Sequence, residues 1–175
     1  MKTTYINIIG GPGTGKSTTA AYVFSEMKRM GLSVEYVSEV AKDFVWEDRE
    51  STMKIQPYIS IKQYRNLVRL KGKVEYVITD SPLILGIAYG RWYDQGLPES
   101  YFQFLKDLHD TSLSPSWNFF LKRNTEYKQE GRVQSEEEAI RVSDHVHKVA
   151  KENCSYLVEC YPDQVASHII SLVST

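Results

Sequence analysis

The sequence predicts an α/β fold: a five-stranded parallel sheet with helices on both faces. Two observations carry this. Short apolar runs alternate with longer segments of helical periodicity along the whole chain, and the first run ends in a glycine-rich turn that opens directly into an amphipathic segment. Strands that alternate with helices pair in parallel, because a crossover helix returns the chain to start the next strand in the same direction.

Tyr5 to Ile9 is apolar, ends in glycines and reads as a buried strand. Ser17 to Met30 follows as a helix, with Ala20, Val23, Phe24 and Met27 at three- and four-residue steps and Gly31 as its stop. Ser33 to Val37 is the second strand, and Val40 to Trp46 a short helix. Ile55 to Leu70 is a longer helix whose Pro57 is tolerated in the first turn. Glu75 to Thr79 is the third strand, followed by helices over Leu83–Tyr93 and Glu99–Leu108. Asn118 to Leu121 is the fourth strand. Lys122 to Gln134 is polar, without a periodic apolar face, and reads as a loop. Ser135 to Lys151 is a helix opened by the capping-box pattern Ser135-Glu136-Glu137-Glu138. Tyr156 to Val158 is the fifth strand and Asp163 to Val173 the closing helix. With no internal repeat, low-complexity tract or linker, residues 1–175 are expected to form one domain.

Composition narrows the function classes. At 42% hydrophobic and 25% charged residues, the chain is that of a folded globular protein. A formal net charge of −1 disfavours a protein that grips duplex DNA by its phosphates. The two cysteines, Cys154 and Cys160, fit neither a disulfide framework nor a zinc site and are expected as reduced thiols. No apolar run approaches the roughly 18–20 residues that span a bilayer, so no membrane partner is expected. The opening Met1-Lys2-Thr3-Thr4 lacks a signal-peptide pattern. The expected address is the cytoplasm, or a host's cytoplasm for a phage-encoded chain.

The residues from Gly10 to Ser17, Gly-Gly-Pro-Gly-Thr-Gly-Lys-Ser, fit the phosphate-binding pattern of glycine, four residues, then Gly-Lys-Ser. Glycines allow backbone conformations closed to other residues and a close approach to an anion. Successive N–H groups then form a nest, reinforced by the positive end of the following helix. The expected contacts to ATP come from Gly11, Pro12, Gly13, Thr14, Gly15, Lys16, Ser17 and Thr18. Lys16 brings a mobile charge to the β- and γ-phosphates, and Ser17 a hydroxyl to Mg2+.

Phosphoryl transfer needs a positioned magnesium ion and an oriented acceptor, tasks that carboxylates commonly perform. Asp80 ends the third strand and Glu39 lies just beyond the second, so both side chains are expected to face one cleft at the carboxyl edge of the sheet, where ligands bind. Asp80 either orients the magnesium shell or accepts the acceptor's proton, unless it merely caps the helix after Pro82. Glu39 is an acceptor-binding group or the general base. Asp43 and Glu47 read as surface charges. Lys122, Arg123, Lys128 and Arg132 fall in or beside the polar segment 122–135, a candidate lid, with Arg132 after Gly131 the leading choice to neutralise charge in flight. Tyr58, Tyr64, Tyr89, Trp92 and Tyr93 either stack on an acceptor ring or belong to the core. His145 and His147, two apart on a helix, point to different faces and do not suggest a metal site.

Taken together, the strand–loop–helix at Gly10–Ser17, Glu39-Val40-Ala41-Lys42, Thr79-Asp80-Ser81-Pro82, and Tyr127 with the run from Gly131 to Ala139 resemble the P-loop kinase superfamily. The branch they resemble is the ATPase domain, a ribosylnicotinamide kinase, of the bifunctional NAD-biosynthesis regulator, together with small bacteriophage ATP-binding proteins. The resemblance implies a three-layer P-loop NTPase fold, Lys16 and Ser17 on phosphate and magnesium, Asp80 and Glu39 on the acceptor side, and a lid near Arg132. Ser81 follows Asp80 where thymidylate-kinase-like enzymes carry Asp-Arg, and the arginine-rich lid of adenylate kinase is missing. The leading expectation is transfer of the γ-phosphate of ATP to a nucleoside, nucleotide or related small acceptor. A nucleic-acid hydroxyl as acceptor and a slow ATPase switch are the alternatives. The sequence leaves the oligomeric state open.

Overall fold

The computed structural model describes residues 1–53, 55–94, 96–123 and 135–173. The strands are β1 (Thr4–Ile9), β2 (Val34–Val37), β3 (Tyr76–Thr79), β4 (Ser116–Leu121) and β5 (Val158–Cys160). They form one sheet in the order β2-β3-β1-β4-β5, with every pairing parallel. The helices are α1 (Lys16–Arg29), α2 (Ala41–Trp46), α3 (Glu50–Met53), α4 (Gln56–Val68), α5 (Leu83–Tyr93), α6 (Glu99–Ser112), α7 (Glu136–Asn153) and α8 (Pro162–Val173).

β1 explains the layering. Ile6 and Ile8 face a core built with α1 and α8, including Ala20, Val23, Val165 and Ile169. Tyr5 and Ile9 face the opposite side, where α4 to α7 pack through residues such as Leu67, Ile84, Phe102 and Val146. A strand buried on both faces is apolar at consecutive positions, as the parallel sheet requires. The loop after β1 therefore leaves toward one face, while that after neighbouring β3 leaves toward the other. A crevice opens between them at the carboxyl edge.

The element order follows the sequence expectation, with local differences. β5 begins two residues later than expected, because the register pairs Phe119 with Val158 and Leu121 with Cys160. Tyr156, whose ring made the residues ahead of Val158 look strand-like, is exposed. β4 starts at Ser116, α6 runs on to Ser112, and α3 adds a short turn of helix that no apolar periodicity announced. Ser135 caps α7 as expected, its hydroxyl accepting from the Glu138 N–H at 3.2 Å. Both cysteines are free thiols. Among the described residues, no helix is long and apolar enough to cross a membrane.

Two polar groups inside the fold are informative. Asn7 on β1 and Asn118 on β4 sit opposite each other, both buried, with the Asn7 amide donating to Asn118 Oδ1 at 2.8 Å. Asn118 in turn donates to the Tyr156 carbonyl at 3.1 Å. His109 of α6 is 4% exposed. Burial lowers its pKa from the ordinary 6.5, against the pull of Asp110 and with a smaller push from Lys106. The folded state thus holds a neutral imidazole that the unfolded chain protonates below pH ~6.5. Stability is complete above that pH and falls as the pH drops through it, with a slope of up to about 1.4 kcal/mol per pH unit. Thermal denaturation between pH 8 and 5 should show this decline, and His109→Gln should flatten it.

Candidate active site

The loop between β1 and α1 uses its glycines in two ways. Gly13 and Gly15 have φ of 74° and 82°, the left-handed region that favours glycine. Gly10 and Gly11 are instead held by proximity. A Cβ on Gly10 would lie 2.5 Å from Thr14 Oγ1, and one on Gly11 2.5 Å from Ser143 Cβ of α7. Inside the loop, the Thr14 hydroxyl and the Lys16 ammonium donate to the Gly11 carbonyl at 3.0 and 2.9 Å. Arg123, two residues past β4, donates to the Pro12 carbonyl at 2.9 Å and braces the loop from outside. The first turn of α1 carries no acidic side chain, so the helix brings no charge of its own against its positive end.

Asp80, directly after β3, is 1% exposed with both carboxylate oxygens buried; among the described residues no well-formed hydrogen bond reaches them, although the Tyr36 hydroxyl interacts with the carboxylate. It does not cap α5, whose N-cap is Pro82 with no side-chain capping bond. Its ion-pair partner is Lys42, at 3.6 Å from Oδ2, and the same ammonium donates to Ser17 Oγ at 2.6 Å. Tyr36 of β2 lies close enough that burial, and next the Asp80 charge, raise its pKa. A buried carboxylate with unused acceptors beside a hydroxyl, already drawing a cation, suits magnesium. That ion takes one or two carboxylates plus phosphate oxygens and keeps waters. Ser17 and Asp80 are the residues that fit it.

Glu39 faces the cleft from the end of β2, and its segment is clamped. The buried Gln63 amide of α4 accepts from the Val40 N–H at 3.1 Å and donates to the Ser38 carbonyl at 3.3 Å, holding the backbone on both sides of Glu39. Burial pushes the Glu39 carboxyl above its ordinary 4.5, and the Asp80 charge adds to this, against Lys16 and Lys42. Tyr89 of α5 is raised by burial and then by the Glu39 charge, which keeps its phenol protonated. The cleft measures about 510 Å³ and runs from the phosphate loop and Glu39 to a wall of Ile59, Ser60, Leu85, Tyr89 and Tyr93 from α4 and α5.

The structure thus brings together the loop from Pro12 to Thr18 and Glu39 on one cleft, whereas Gly11 is buried against α7 and Asp80, expected to face the cleft, is buried off its lining. Arg132, Lys128 and most of the segment 122–135 lie outside the described residues. Lys122 binds Glu159 of β5 at 3.5 Å. Of the five aromatics, Tyr89 and Tyr93 line the cleft, whereas Tyr64 packs in the core, Trp92 against His145, and Tyr58 on Phe44. The sequence did not single out Lys42 or Gln63. Lys42 had a signal only in its closeness in sequence to Glu39, at the start of α2; Gln63 had none.

Residues 5–163 match the family model described as an AAA domain. Similar solved structures include the NadR protein in complex with NR, 15% identical, covering 98% of this chain and 50% of that one, with a TM-score of 0.60. YorR from Bacillus subtilis, in complex with phosphorylated GDP, is 16% identical over 97% of this chain and 95% of its own, with a TM-score of 0.65. Thymidylate kinase from Ehrlichia chaffeensis is 17% identical over 100% of both chains, with a TM-score of 0.65. This chain therefore spans half the length of NadR and nearly all of the other two. No curated protein sequence matches it. Likeness at these identities establishes the fold, a P-loop nucleotide-kinase architecture, as the sequence leads one to expect.

The contact between Gly11 and Ser143 makes a testable point about the loop. Gly11→Ala forces backbone against backbone and should destabilise the protein by about 1–3 kcal/mol in urea denaturation. Ser143→Gly in the same chain should recover only part of the loss, because the Ser143 Cα is itself 2.7 Å from the added methyl.

Proposed function

The chain belongs to the AAA-domain family, and from that premise we propose that it is an ATP-dependent phosphotransferase acting on a nucleoside, nucleotide or related small acceptor. The observation that carries the reading is Glu39: a carboxylate with a raised pKa, positioned by Gln63, in the same cleft as the phosphate loop. A carboxylate there orients an acceptor hydroxyl or, in an ATPase, a water; the adjoining cleft of about 510 Å³ suits a small acceptor rather than a duplex.

In this reading the backbone N–H groups of Gly13 to Lys16 and the α1 N-terminus hold the β- and γ-phosphates. Lys16 leaves the Gly11 carbonyl for phosphate oxygen. Ser17 and Asp80 would hold magnesium, which would supply charge neutralisation on the phosphates. The acceptor lies against Tyr89 and Tyr93 with its hydroxyl toward Glu39. The hydroxyl oxygen bonds to the γ-phosphorus, the bond to the β–γ bridging oxygen breaks, ADP leaves, and Glu39 takes the hydroxyl proton. A base with its pKa raised toward the working pH suits that task. The burial of Asp80 and its pairing with Lys42 favour metal holding for Asp80 and proton transfer for Glu39.

The test is transfer of label from γ-labelled ATP into separate pools of nucleosides, nucleotides, ribosylnicotinamide, and plain or hydroxymethylated DNA. Label should enter one small-molecule pool with the wild type and not with Lys16→Ala. Label released only as phosphate would replace the reading with an ATPase switch, and label in DNA would replace the acceptor class.

Glu39 gives a second, separable prediction. The base works ionised, so kcat/KM should fall as the pH drops through its raised pKa, placing the acid limb above 4.5. Glu39→Gln should lose about 10²-fold or more in rate without losing thermal stability, because ionising Glu39 in the folded state is unfavourable. A variant that is active but unstable would make Glu39 structural.

A further inference from the structure

We propose that Lys42 is the resident counter-ion of the Ser17–Asp80 pair and exchanges with a divalent cation there, so that metal entry and Lys42 release are one event. The inference deepens the phosphotransferase reading, on which it rests for the place of the metal.

Asp80 needs compensation. A carboxylate that is 1% exposed and held by no well-formed hydrogen bond among the described residues is unfavourable unless a cation stands near it. Lys42 is that cation, yet at 3.6 Å it balances the charge without closing a hydrogen bond. Both Asp80 oxygens keep their acceptor capacity for a ligand of higher charge. The same ammonium makes a full hydrogen bond, 2.6 Å, to Ser17 Oγ. One nitrogen thus bridges the two side chains that fit magnesium. A lysine ammonium and a hydrated divalent ion compete for the same oxygens and repel each other within one site.

The position of Lys42 makes exchange feasible. It sits in the first turn of α2, its side chain is 47% exposed, and it borders the cleft. Leaving Asp80 therefore sacrifices little packing, and a flexible four-carbon stem can carry the charge outward. Lys16 is engaged elsewhere, on the Gly11 carbonyl at 2.9 Å. Lys42 is accordingly a positioning residue. Before metal arrives, it holds the Ser17 hydroxyl and the Asp80 carboxylate turned toward one point, and it limits how tightly metal alone can bind.

The test uses the full chain without nucleotide and Mn2+ as the probe, titrated by electron paramagnetic resonance. Lys42→Met should bind Mn2+ at least about tenfold more tightly than the wild type, roughly 1.4 kcal/mol. Mg2+ alone should raise its melting temperature by more than it raises that of the wild type. Lys42→Arg should stay near the wild type, and adding Asp80→Asn to Lys42→Met should abolish the gain. Equal or weaker Mn2+ binding by Lys42→Met would overturn the proposal and leave a plain salt bridge. If Lys42→Met fails to fold, the Lys42 ε-carbon NMR resonance of the wild type, assigned against Lys42→Arg, decides. A shift on Mg2+ saturation supports exchange, and an unmoved resonance overturns it. None of these readouts needs phosphate transfer. Exchange without transfer would retire the kinase reading alone, and transfer without exchange would retire this one alone.

Discussion

The central strand is the constraint from which the site follows. β1 is hydrogen-bonded on both edges, to β3 and β4, and buried on both faces. It can therefore neither shift nor tilt without breaking two ladders and two cores. The glycine-rich loop leaves this fixed point, and its turns at Gly13 and Gly15 need φ values that few other residues adopt. The helices on either face set where the next loops can go. The crevice that holds Lys16, Glu39 and Ser17 is the remaining space where chain departs from β1 and β3 in opposite directions.

Around that crevice the fold accepts electrostatic costs that it avoids elsewhere. Surface carboxylates such as Asp110 are solvated or paired, here with Lys106. Asp80 is buried and Glu39 half-buried, close enough that the Asp80 charge helps raise the Glu39 pKa. Two lysines, Lys16 and Lys42, keep the pair from being prohibitive, and each would do different work if phosphate and metal took their places. Gln63 contributes geometry without charge, through a buried amide that joins α4 to the backbone around Glu39. Stability is given up locally where charge is concentrated, and the cores on both faces make that loss tolerable.

What was legible in the sequence divides by range. The phosphate loop is a local pattern in which spacing, glycine and the following helix all speak, so Gly11 to Thr18 were readable from residue order alone. Glu39 and Asp80 were readable because strand ends in a parallel sheet share one edge. Which carboxylate faces the cleft was not, since that depends on Gln63 and Lys42 arriving from other elements. Tyr89 and Tyr93 could not be told from Trp92, because all three have helical spacing and only the packing of α7 against α5 buries Trp92 on His145. β5 was misplaced toward Tyr156 because apolarity marked it, whereas Glu159 sits in the strand and is satisfied by His147, Lys151 and Lys122. Long-range charge pairing of that kind leaves no periodic trace.

The Asn7–Asn118 pair settles something that hydrophobicity cannot. A slip of β4 by one residue against β1 would move every side chain to the other face, and so between two differently packed cores. A slip of two leaves the faces intact and is invisible to the hydrophobic pattern. It would, however, set Asn118 against Tyr5 or Ile9 and bury both amides without each other. It would also carry Arg123 about 6.6 Å along the strand axis, away from the Pro12 carbonyl that it now holds at 2.9 Å. The two amides act as a ratchet tooth between neighbouring strands, and the brace on the phosphate loop is aligned by a hydrogen bond in the middle of the sheet.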